Sequence, residues 1–188
     1  MTSAFIILCV ILGAIVLLLL WLVSIYNGLV RLRNLKEEGW SGIDVQLKRR
    51  HDLVDNLVNS VKGYMSHERG LLEEVARCRS QAGGARNVAE AASAESGLAQ
   101  ALGKLFAVME NYPDLKATEN VMHLQTTLTE LEDTIQAARR YYNGTVRELN
   151  TKIEVFPSNI VAGVFHFTKA EFFELGDAAE AAVPQVSF

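Results

Sequence analysis

The run Trp40-Ser41-Gly42-Ile43-Asp44-Val45-Gln46-Leu47-Lys48-Arg49-Arg50 opens the pattern that decides the fold. From it, Trp40, Ile43, Leu47, Val54, Leu57, Val61, Tyr64, Leu71, Val75 and Cys78 recur in alternating steps of three and four. Only Arg50 and Glu68 interrupt the register. Apolar residues at this spacing form one stripe along an α-helix, and a stripe this long is a packing seam. No proline stands between Met1 and Asn111, so the stretch is predicted to be one rod that ends at Gly83-Gly84. Roughly 40 residues beyond Trp40 would reach about 60 Å at 1.5 Å per residue. Glycine costs about 1 kcal/mol in an exposed helix interior. Gly28, Gly39, Gly42, Gly63 and Gly70 are therefore expected where backbones pack closely, including against a second copy of the chain.

Upstream of the seam the chain is apolar. Ala4 to Val23 contains only Gly13 as a non-hydrophobic member, and no charged side chain precedes Arg31. About 20 such residues cross a bilayer core as a helix. Trp21 and Tyr26 stand at its C-terminal edge, where amphipathic rings favour the headgroup zone. A cleaved signal peptide would need a basic start, a shorter apolar stretch and a small-residue cleavage site, so a retained anchor is the expectation. Arg31, Arg33 and Lys36 follow the span on one side only, which places the C-terminal part in the cytoplasm and the N-terminus outside. These cations are also placed to meet anionic headgroups, at about 1 kcal/mol each.

Downstream, two more helices are predicted. Asn87 with Glu90 is an N-cap pair, and Val88, Ala91, Leu98, Leu102, Leu105 and Met109 share a face before Tyr112-Pro113-Asp114 stops the helix. Thr118 is the expected cap of the next helix, whose seam is Val121, Leu124, Leu128, Leu131, Ile135, Ala138, Tyr142, Val146, Leu149 and Ile153. Phe156-Pro157-Ser158 ends it, with Ser158 set to cap a short apolar turn. Thr168 to Glu171 reads as a capping box for a further short helix through Phe172 and Phe173. The last residues, Pro184 to Phe188, alternate like an extended segment. The predicted fold is all-α: a single N-terminal transmembrane helix continuing into an antiparallel bundle of three long helices plus short C-terminal helices. Its parts are an anchor over 1–30, a cytoplasmic bundle over 31–177 and an extended tail over 178–188.

Composition narrows function. The 188 residues carry 18 Lys+Arg against 22 Asp+Glu, a net charge of -4, which argues against a nucleic-acid partner. Residues 31–79 hold 10 basic and 8 acidic side chains, whereas residues 80–188 hold 8 and 14, so the first bundle helix suits the others electrostatically. The 2 Cys, Cys9 and Cys78, are too few for a disulfide framework and read as small hydrophobes. His67-Glu68 lacks the second histidine of a zinc-protease helix, because Leu71 stands there. Glu119 and His123 are spaced four apart, where a di-iron bundle needs three. No phosphate-binding glycine loop or nucleophile elbow is found. The reading is therefore no catalytic residue, no metal ligand and no cofactor. Arg50, in a seam position, is expected to pair with an acid of the third long helix. Arg139-Arg140-Tyr141-Tyr142 is read as packing and ion pairing rather than nucleic-acid contact, since Tyr142 falls in the seam.

Several of these motifs resemble the LemA family. They are Tyr26-Asn27, the run from Trp40 to Arg50, Asp52-Leu53-Val54 with Asn56-Leu57-Val58, Val61-Lys62-Gly63-Tyr64 and His67-Glu68. Glu110 to Lys116, Ala138 to Asn143, Phe156-Pro157-Ser158 and Pro184-x-Val186-x-Phe188 complete the resemblance, which covers essentially the whole chain. His51 stands where the family usually has Tyr, and Val54-Asp55 where it has Ile-Pro, so less of a kink is expected there. The resemblance implies a single-pass protein of the bacterial inner membrane with a cytoplasmic bundle and no catalytic residues to carry over. It also implies an association with membrane organisation, including a magnetosome-membrane relative, and with membrane stress and signalling.

Two functional readings follow. One is a non-enzymatic scaffold whose partners are itself, as a homo-oligomer, and membrane lipids. The other is an adaptor or regulator that binds another membrane protein, such as a protease or sensor kinase. The candidate assembly or packing residues are Trp40, Ile43, Leu47, Arg49, Arg50, Tyr112, Arg139, Arg140, Tyr142 and Phe188.

Overall fold

The computed structural model describes residues 2–116 and 118–174, and these are helical throughout except for turns and a C-terminal extended segment. Six helices follow in order among the described residues: α1 (Thr2–Val61), α2 (Arg69–Gly83), α3 (Val88–Met109), α4 (Pro113–Lys116), α5 (Glu119–Glu154) and α6 (Ser158–Val164). No strand occurs among them. The described residues divide into two compact units, one from residues 2–40 with Tyr142–Ala170, the other from Ser41–Tyr141 with residues 171–174. Both α1 and α5 run through both units.

The all-α architecture follows the sequence expectation, and α1 is unbroken through Val54-Asp55. Its C-terminal limit does not follow it. The rod expected to reach Gly83 ends at Val61, and a turn over 62–68 separates it from α2. In that turn the amides of both Tyr64 and Met65 bond to Val61 O, one closing a 3₁₀-type ring and the other an α-type ring, and the helix ends there. The seam departs from its expected positions only beside this turn, since Val75 and Cys78 are buried where the spacing places them. Met65 is fully buried where Tyr64 was expected, Tyr64 is exposed, and Leu72 takes the core place expected of Leu71. Gly63 sits in this turn with open space where a Cβ would be, so it marks a reversal rather than close packing. Gly42 and Gly70 likewise meet nothing within 4 Å, whereas Gly28 lies under the Lys152 side chain.

In the second unit, five helical segments bury one apolar core, α4 through Leu115. Val54, Leu57 and Val61 of α1 meet Leu72, Val75 and Cys78 of α2, Leu98, Leu102 and Leu105 of α3, and Val121, Leu124 and Leu128 of α5. Burying each such side chain is worth about 1.5–3 kcal/mol, so the seams dominate stability. Polar pairs along the helix edges record the antiparallel order: Asp55 with Arg79 at 2.6 Å, Glu74 with Lys104 at 3.0 Å and Arg50 with Glu132 at 3.2 Å. The Asn87 cap forms as expected, with Oδ1 accepting from Glu90 N at 2.8 Å. Glu90 completes the exchange one residue early, on Arg86 N at 2.9 Å. Thr118 instead donates its hydroxyl to Asp114 O at 3.2 Å, while its carbonyl accepts the amide of Met122.

In the first unit, Leu29 of α1, Leu149 of α5 and Val161 and Ala162 of α6 form a small core, with Leu22, Ile25 and Tyr26 packed against it. Ser158 does not cap α6; its hydroxyl donates to Lys152 O at 2.7 Å and Val155 O at 3.0 Å, serving the last carbonyls of α5. After α6, His166 takes φ 55°, and the amides of His166 and Phe167 bond back to Gly163 O and Ala162 O. That is a Schellman closure with histidine in the left-handed place glycine usually takes. The short helix expected through Phe172 and Phe173 is absent, and residues 167–174 are not helical. Asn150 explains it: its amide donates to Ala170 O at 2.9 Å and accepts from Ala170 N at 2.8 Å, as a neighbouring strand would. The extended tail expected over 178–188 lies outside the described residues.

Asn150→Ala removes both of those bonds. A net hydrogen bond is worth about 0.5–1.5 kcal/mol. Amide exchange around Ala170 should accelerate roughly tenfold by hydrogen–deuterium mass spectrometry, with the circular dichroism helix signal unchanged.

Candidate functional site

Two groups of residues have a chemistry beyond seam packing, one in each unit. In the second unit Arg50 does what its seam position predicts. Its Nη1 lies 3.2 Å from Glu132 Oε2 on α5 and 3.4 Å from Glu95 Oε2 on α3. The other Glu95 oxygen meets His51 Nε2 at 2.6 Å. Arg79 adds a bond from Nε to the His51 carbonyl at 3.4 Å. Glu95 is 1% exposed at its side chain and Arg50 6%, so the charges are taken almost wholly out of water.

Glu95, His51 and Glu132 were not singled out by sequence reasoning. Their signal was available: Glu95 stands between Ala91 and Leu98 in the α3 stripe, as Arg50 stands between Leu47 and Val54 in that of α1. Two interruptions of opposite sign in facing stripes are a matched pair. A carboxylate so enclosed holds three helix segments in register and has no surface to offer a substrate.

Tyr112 also leaves the seam for a polar role. Its Oη donates to Glu68 Oε1 at 3.2 Å. Partial burial first, and then the charge of Glu68 and its hydrogen bond, raise the phenol above its ordinary value near 10.0. Arg139 stacks over the Phe173 ring at 5.6 Å and donates to Gln136 Oε1 at 2.9 Å. Arg140 and Arg49 are exposed. Ile43 and Leu47 are buried as expected. Phe188 lies outside the described residues.

In the first unit two of the candidate anchor residues, Tyr26 and Arg33, share one partner, Phe167. Trp40 tilts against the buried Tyr142 with ring centres 5.7 Å apart. Tyr26 meets Phe165 at 4.7 Å and Phe167 at 6.0 Å, and the Arg33 guanidinium sits 5.5 Å above Phe167. Trp21 and Arg31 are exposed, and Lys36 is half-buried. Phe165 and Phe167 were missed by sequence reasoning, which had no element to place them on. Alongside lies a cleft of about 710 Å³, lined by Gly28, Arg31, Leu32, Arg147, Lys152 and Val155 among others. From Phe5 to Val23 the large apolar side chains are exposed, with Leu22 partly covered.

An all-helical bundle with one uncovered apolar helix, long and apolar enough to cross a membrane, defines a membrane-associated helical protein. A model of the LemA family matches residues 39–188, and the chain belongs to that family. It is similar to Magnetosome protein MamQ 2 of Paramagnetospirillum magneticum, 26% identical over 79% of this chain and 64% of that protein. Magnetosome protein MamQ of Magnetospirillum gryphiswaldense is 23% identical over 86% of this chain and 70% of its own length. Protein LemA of Metamycoplasma hominis is 29% identical over 80% and 69%. The chain thus spans about 64% of the length of the first magnetosome relatives.

Two outcomes test these sites. Removing one partner of a buried pair costs about 3–5 kcal/mol. Glu95→Ala should cost about 3 kcal/mol, the low end because Arg50 keeps Glu132, and lower the thermal midpoint by roughly 6–12 °C. Glu132→Gln, at a partly exposed position, should move it by less than about 1 kcal/mol. Thermal circular dichroism in detergent separates the two.

The second concerns pH. A raised phenol pKa means that the Tyr112 contribution is complete below pH of about 10 and is lost as pH rises through the higher folded value. Glu68→Gln should bring the Tyr112 midpoint down, read as the ultraviolet tyrosinate difference against Tyr112→Phe.

Proposed function

We propose that this chain is a non-enzymatic scaffold that assembles with itself on the bacterial inner membrane. Its span crosses once, with the N-terminus outside and the helical units in the cytoplasm. The observation that carries the reading is the length of α1, whose first turns present apolar side chains with almost no protein cover while its later turns carry the core of the second unit. Arg31, Arg33 and Lys36 after the span support the orientation.

Self-association is supported by what α1 leaves open. Gly13 in the apolar stretch and Gly42 beyond it have nothing within 4 Å of where a Cβ would stand. Small residues let a second helix approach closely in lipid. Copies anchored in one direction close most simply with cyclic symmetry. The relatives named magnetosome proteins are consistent with a role in organising membrane.

The full-length protein in mild detergent should give one uniform particle of several protomers by light scattering. A monomer at micromolar concentration would overturn the assembly.

A further inference from the structure

The corner between α5 and α6 is apolar on the outside as well as the inside. Val161 and Ala162 of α6 are buried against Leu29 and Leu149, which accounts for one face. The other face carries Ile160 at 58% exposure and Val164 at 66%, one helical turn apart. Phe156, at 80%, and Phe165, at 56%, flank it. Scattered exposed apolar residues are ordinary on a protein surface, but a contiguous patch of large ones marks a contact.

The position of this patch identifies what it contacts. α1 and α5 run antiparallel here, with Trp40 against Tyr142 and Gly28 under Lys152. Both rise about 1.5 Å per residue, so Glu154, where α5 ends, comes level with Tyr26, and Phe156 follows in the turn beyond it, toward the fourth residue before Gly28. That residue is Ser24, next to the end of the uncovered apolar stretch at Val23. α6 itself packs on a core that Leu22, Ile25 and Tyr26 also touch. The cations beside the corner fit the same setting: Arg31, Arg147 and Lys152 line the adjoining cleft, with Glu148 the acid among them. Glu154 is paired with Lys169, so it does not repel an anionic surface.

We infer that the α5–α6 corner is a second membrane contact, inserting Phe156, Ile160, Val164 and Phe165 into the headgroup and upper acyl layer of an anionic bilayer, while Arg31, Arg147 and Lys152 meet lipid phosphates. Each protomer then takes more area in the leaflet facing its helical units than its span alone would take. The inference rests on α1 as a membrane span and is independent of self-assembly.

The test uses the full chain with Cys9→Ala and Cys78→Ala, reconstituted in vesicles of phosphatidylcholine and phosphatidylglycerol. Single cysteines carry an environment-sensitive NBD label at Phe156→Cys, Ile160→Cys or Val164→Cys. Leu18→Cys reports the span, and Glu37→Cys reports water. Circular dichroism selects the variants that keep their helix content. Labels at 156, 160 and 164 should emit to the blue of the label at 37 and be quenched by lipid bearing a shallow nitroxide, but not by aqueous iodide. Emission and iodide quenching equal to those at 37 would overturn the inference, with quenching at 18 showing that the span still holds. Loss of lipid quenching at 18 as well would overturn both. Shielding from lipid and iodide alike would assign the corner to a protein neighbour and overturn the lipid contact.

Discussion

The structure depends on a backbone constraint. Inside a bilayer there is no water to bond an amide or a carbonyl, so a chain that crosses must carry its hydrogen bonds within itself. A helix that leaves the apolar layer with its ladder intact has no reason to stop until its side chains make it stop. α1 therefore runs for 60 residues. The sequence passes from a wholly apolar stretch ending at Val23 to three-four spacing from Trp40 without a change of secondary structure. Helices α2 and α3 and the first part of α5 are then selected by what they can bury on the striped part. Helix α1 ends where a turn around Gly63 lets Met65 enter the core from the far side.

Against this apolar background the Arg50–Glu95–His51–Glu132 group stands out. Apolar residues of similar volume would often give equal or greater stability than a buried ion pair. What the ions add is register. A stripe of leucines tolerates sliding by a heptad, because each position meets another leucine. Glu95 tolerates none, since a slide of α3 on α1 would put its charge against Leu57 or Ile43 with no cation. The exposure of Glu132 at 36% gives Arg50 one partner that water can partly replace and one that it cannot.

Much of this was legible from residue spacing. The seams of α1 and α5 and the cap at Asn87 are visible because helices repeat every 3.6 residues and caps have a fixed side-chain chemistry. Three features were not, each for a physical reason. The break after Val61 keeps the three-four spacing almost in phase across it, so periodicity alone sees one helix. Thr168 to Glu171 has the local signature of a helix start, but Asn150, distant in sequence, offers Ala170 the two bonds of a strand neighbour and wins. His166 in a left-handed conformation carries no glycine to announce it. The ionic group was half legible: Arg50 was seen to want an acid on α5, and the place of Glu95 in the α3 stripe was not read at all.

The first unit shows how far folding alone accounts for its side chains. Phe167 is explained from within, since the Schellman closure at His166 swings it back under Arg33 and beside Tyr26. Val161 and Ala162 are explained by Leu29. Phe156 is not: at 80% exposure it contributes almost nothing to the core, and a polar residue there would serve the fold equally well. The same holds for Ile160 and Val164, whose helix already has its inner face filled. In water such residues weaken solubility without strengthening the fold. Such a patch fits a contact that excludes water, and its place beside Leu22, Ile25 and Tyr26 of α1 is what favours lipid as that contact.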